Sequence, residues 1–121
     1  MKSQIFTQGF NRVEHQQIIC LERARLNRLL NDERRITEAL ACAVKRQIEA
    51  RPNRIADVQI LWNHLQNHAL VRTVRGRINL LTDSYPQFSN QVEAARLQVK
   101  KRILRALESA KSAAQTALAC Y

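Results

Sequence analysis

Residues 54–75 read RIADVQILWNHLQNHALVRTVR. Within them Ile55, Val58, Leu61, Trp62, Leu65 and Ala69 recur at three- and four-residue steps, the spacing that gathers side chains on one face of an α-helix. The same period holds on both sides of this stretch. Upstream, from Asn11 to Ala50, the residues Ile18, Ile19, Leu26, Leu29, Leu30, Ile36, Leu40 and Val44 keep one phase. Asn31-Asp32 offers a cap there without changing the phase, so two helices in line and one helix of about 60 Å both fit. Downstream, Val92, Ala95, Val99, Ile103, Ala106, Ala110, Ala113 and Ala117 mark a helix running nearly to the C-terminus. Asn90 with Glu93 resembles a capping box at its start, and Ser89 is the competing cap.

The boundaries are few. Pro52 disfavours helix in Arg51, and Asn53 can cap the segment that follows. Gly76 either ends the second helix or is tolerated inside one reaching Leu81, and Thr82–Pro86 reads as the loop that reverses the chain. Two glycines, two prolines and six aromatics in 121 residues cannot supply the turns of a sandwich or barrel. The expectation is one all-α domain over residues 1–121, with a flexible N-terminus of about ten residues and long amphipathic helices in a hairpin or bundle. The last helix has a mostly alanine inner face, which lets another helix come close but offers little apolar area per residue. Dimerisation is expected to complete the core.

No run approaches the ~18 apolar residues that cross a bilayer, and the first ten residues hold no secretory segment, so no membrane partner is expected. Cys20, Cys42 and Cys120 are odd in number and far apart, which fits small apolar side chains in a reducing, cytoplasmic setting, the host cytoplasm if the protein is viral. Enzymatic motifs are missing. There is no GxGxxG, GxxxxGK[ST], GxSxG or HExxH, and the ten carboxylates are dispersed beside Lys and Arg at helical spacing. No enzyme activity, cofactor or metal is expected. His64 and His68 have ligand spacing, but two side chains do not make a metal site.

The net charge of +10, carried by 15 Arg and 5 Lys against 10 carboxylates, is the unusual quantity and points to a polyanion. On a continuous helix over 54–75, Arg54, His64, His68, Arg72 and Arg75 fall within about 80° of one another over about 30 Å, close to one turn of a duplex. Only Asp57 interrupts them. Arg25, Arg28 and Arg35 on the first helix and Lys101 and Arg105 on the last complete the candidate contacts. Trp62 lies on the apolar stripe and the other aromatics sit in terminal or loop segments, so base stacking is not indicated. Backbone contacts then give sequence-independent binding with steep salt dependence.

Pro52-Asn53, the apolar residues at helical spacing, Arg72, Arg75, Asn79, Leu80-Leu81 and Pro86 together resemble the second helix and following turn of the nodavirus RNA-silencing suppressors. The resemblance covers residues 52–86. It implies a small helical homodimer that lies along double-stranded RNA and shields it without reading sequence. It also implies that Arg75 takes the position of the family's phosphate-contacting arginine, with Arg72 and His68 on the same side. Two other readings remain open: a duplex-DNA-binding helical protein of phage, plasmid or nucleoid type, and a helical adaptor or inhibitor that binds an acidic protein partner.

Overall fold

The computed structural model describes the backbone of residues 2–51 and 57–120 and the side chains of 12–51 and 57–120. The chain is all-α: α1 spans Lys2–Ala50, α2 Val58–Gln66, α3 Ala69–Ser84 and α4 Ser89–Ala119, with a 3₁₀ turn at Pro86–Phe88 ahead of α4. Among the described residues there is no strand.

Helix α1 is a single rod of 49 residues, about 73 Å long. It begins at Lys2, ahead of the start expected near Asn11, and it does not break at Asn31-Asp32. The Asn31 carboxamide is engaged otherwise: its Oδ1 accepts from Arg34 Nη2 at 2.6 Å, so it does not turn back to cap a backbone N–H. Beyond α1, Asn53 lies outside the described residues, and the cap of α2 is Asp57, whose Oδ1 accepts from the backbone N–H of Gln59 at 2.7 Å.

The stretch over 54–75 is where expectation and structure part. It holds two helices. After Gln66 the chain takes a C-cap at Asn67, turns extended at His68, and restarts with the His68 Nδ1 accepting from the N–H of Leu70. The restart resets the helical phase: Val71, Val74, Ile78 and Leu81 face the core, and Ala69 is exposed. Gly76 sits inside α3, and α3 continues through Thr82, Asp83 and Ser84, residues expected in a loop. The reversal is confined to Tyr85 and the 3₁₀ turn. Helix α4 begins at Ser89 after Phe88, and neither Ser89 nor Asn90 caps it.

Paired residues fix the topology. Leu26, Glu33, Ala41 and Ile48 of α1 meet Val92, Arg96, Ile103 and Ala110 of α4 in the same order, so these helices run parallel. Along α2 and α3 the order is reversed, with Val58 near Ile48, Arg75 on Glu33 and Leu81 near Leu26. The bundle has three columns, and the middle one is bent at Asn67-His68. Its core is split in two. One apolar cluster joins Leu26, Val74, Ile78, Leu81, Phe88 and Val92. The other joins Ala41, Ile48, Val58, Trp62, Leu65, Ile103, Leu107 and Ala110.

Candidate nucleic-acid interface

Between the two apolar clusters lies a polar layer centred on Glu33, whose side chain is 7% exposed. One Glu33 oxygen takes Arg75 Nε at 3.2 Å from α3 and Arg96 Nε at 3.0 Å from α4, and the second takes Arg96 Nη2 at 3.3 Å. Arg75 also donates to the Gln66 carboxamide, and Thr37 Oγ1 donates to the Glu33 carbonyl at 2.7 Å. A carboxylate taken out of water requires such partners, because charged hydrogen bonds offset its desolvation. Arg75 is therefore committed to the fold.

Arg75 is thus not the free, exposed cation expected: its side chain is 29% exposed and turned onto Glu33. The single 30 Å face is not formed either. Arg54 lies outside the described residues, and the break between α2 and α3 gives His64 and His68 different helical frames. His68 is exposed, with its Nδ1 spent on capping α3. Arg72 is exposed on the outer side of α3. No group of three His, Cys, Asp or Glu side chains suited to a metal ion occurs among the described residues. Cys20, Cys42 and Cys120 are free, exposed thiols.

The cations expected on the outer helices fare differently. Arg28 and Arg35 are exposed on the side of α1 directed away from the core residues Leu26, Glu33 and Thr37. Arg46, which the sequence reading left out, lies on the same ridge. At 3.6 residues per turn the three fall within about 20° of one another and span about 27 Å. None of them forms an ion pair among the described residues. Arg25 stands to one side and pairs loosely with Glu22 at 3.7 Å. Lys101 and Arg105 are exposed one turn apart on the outer side of α4, beside Arg102, which is held by Glu38 at 3.2 Å. Arg23 lies over the Phe88 ring, 5.4 Å from its centroid, and so acts as part of the packing.

The structure therefore gathers Arg28, Arg35 and Arg46 along one straight ridge and scatters the remaining cations over other faces of α1 and over the other columns. The signal for Arg46 was available in its spacings of 11 residues from Arg35 and 18 from Arg28, which return a helix to nearly the same angle. No described helix is long and apolar enough to cross a membrane. No family model, curated protein or solved structure matches the chain.

Proposed function

We propose that this protein binds nucleic-acid duplexes without reading their sequence, through the outward ridge of α1, and does so as a homodimer. The observation that carries the reading is the alignment of Arg28, Arg35 and Arg46, three exposed guanidinium groups with no carboxylate partner among the described residues. A rigid row of cations about 27 Å long faces roughly 16 backbone charges of a duplex at one per ~1.7 Å. A rod matches a duplex along its axis, whereas a flexible single strand gains nothing from that rigidity. Lys101 and Arg105 on α4 add further positive field.

Double-stranded RNA is placed ahead of DNA because of the resemblance of residues 52–86 to the nodavirus suppressors, and shielding RNA from silencing is the role this suggests. Arg75 has no part in the proposed contact. The test is a binding titration with duplex RNA, duplex DNA and single strands of equal length at two salt concentrations. Duplex binding that weakens steeply with salt, RNA ahead of DNA, is the expected result. Equal weak binding to all strands, or none, overturns the proposal, and a DNA preference replaces the RNA reading with the nucleoid-type one.

A further inference from the structure

The basic ridge of α1 stops at Arg28. One step of seven residues towards the N-terminus, nearly the same helical angle is held by Leu21, which is 69% exposed, so the row of cations gives way to an apolar side chain. Beside this end of the ridge a pocket of about 340 Å³ opens between α1 and the last turns of α3. Glu22 and Arg25 line it from α1. Arg77, Leu80 and Ser84 line it from one side of α3, at steps of three and four residues, with Tyr85 just beyond them. Arg25 is three residues from Arg28, so pocket and ridge share an edge.

The pocket has two chemical halves. Arg77 is exposed and forms no ion pair among the described residues, and Arg25 is held only loosely by Glu22, at 3.7 Å. Two guanidinium groups against one carboxylate leave a positive charge that nothing else lining the pocket neutralises. The other half is apolar: Leu80 is 70% exposed, and Tyr85 is braced by Phe88, their ring centroids 5.4 Å apart. Cations beside an exposed leucine and an aromatic ring suit a ligand that carries a phosphate on a flat ring system. The volume lies at the lower end of the ~300–1,000 Å³ of small-ligand pockets, more than a bare inorganic anion fills.

We infer that this pocket takes a nucleoside 5′-monophosphate, and that its source is the 5′-phosphorylated end of a strand whose duplex lies on the ridge. The choice of source rests on the proposed function; the pocket itself does not. Arg25 and Arg77 hold the phosphate, and Leu80 and Tyr85 carry the base. Glu22 opposes the anion and keeps Arg25 in place when the pocket is empty. A terminal phosphate is a monoester with a charge of about −1.5 to −2 at pH 7, whereas each internal phosphate carries a single charge, so a pair of arginines favours the end of a strand over its middle.

The test compares the affinity of the full chain for two blunt RNA duplexes that differ only in bearing a 5′-phosphate or a 5′-hydroxyl, together with a calorimetric titration of free adenosine 5′-monophosphate. The phosphorylated duplex is expected to bind about fivefold more tightly. Arg25→Gln with Arg77→Gln is expected to bring the ratio between the two duplexes to one, and Glu22→Gln to widen it, with helical content unchanged in both variants. Neutralising Arg28, Arg35 and Arg46 weakens both duplexes alike, so loss of the ridge and loss of the pocket read differently. Equal affinity of the parent chain for the two duplexes, with no binding of the free nucleotide, overturns the pocket and leaves the ridge standing. Equal affinity with the free nucleotide bound, and its binding lost in the Arg25 and Arg77 variant, overturns the strand end as the source and assigns the pocket to a free mononucleotide. A preference for the phosphorylated duplex that survives in that variant overturns the assignment of the two arginines. Absence of any duplex binding overturns the ridge and the strand-end source together, and the nucleotide titration then decides the pocket alone.

Discussion

Glu33 is the residue on which all three columns converge. It is buried on α1 and receives arginines from α3 and α4, so removing its carboxylate leaves Arg75 and Arg96 facing each other with no counter-charge. The expected cost of Glu33→Ala is about 3 kcal/mol, at the low end for a broken buried pair because both guanidinium groups keep some contact with water. Urea unfolding checks this, and a loss under 1 kcal/mol would show the cluster to be peripheral. Arg75→Glu sets a second carboxylate against Glu33 and is expected to destabilise at least as much. The same substitution at Arg72, which is exposed, is expected to leave the midpoint nearly unchanged. A side chain's type and helical angle suggest its task, but Arg75 shows the limit. Its partner, Glu33, is 42 positions away in the sequence, and only the packing of α3 on α1 makes them neighbours.

At the scale of elements, the bend at Asn67-His68 decides which cations share a surface. Its signal is present in the sequence. Val71, Val74, Ile78 and Leu81 lie about half a turn out of phase with Val58, Trp62 and Leu65, so a straight helix would put the two sets on opposite faces. A helix burying one face cannot hold both, and the break follows. The in-phase stripe of α1 fits one helix as well as two in line, and there the rod is continuous. The start of α4 was not legible, since Ser89 and Asn90 are both good caps by type and neither acts as one. Two substitutions test the helix ends and interiors. Asp57→Ala is expected to cost about 1 kcal/mol through the lost cap of α2. Gly76→Ala is expected to stabilise by roughly 0.5–1 kcal/mol, because it lies within α3 and an added Cβ meets nothing within 4 Å. Thermal unfolding reads both, and a destabilising Gly76→Ala would indicate that this surface is covered in solution.

For the whole molecule, the all-α class follows from the scarcity of turn-formers together with three long periodic stretches, and the structure has that class. The assembly of charge was only half legible. Composition gives the excess of ten positive charges, while the fold removes Arg75 and Arg96 into the core layer, ties Arg34 and Arg102 to Glu38, and leaves a row on α1 exposed. The molecule that results is a three-column bundle with one column extended beyond the others and a straight basic ridge along it. The central claim is that this ridge is what a duplex touches. The most direct measurement is the slope of log affinity against log salt for a duplex RNA, compared between the parent chain and the triple variant Arg28→Gln, Arg35→Gln, Arg46→Gln. With each neutralised phosphate contributing about 0.9 to the slope, the triple variant is expected to be shallower by about 2.7 and weaker on every duplex sequence alike, with its fold intact. An unchanged slope and affinity in a folded triple variant would contradict the claim.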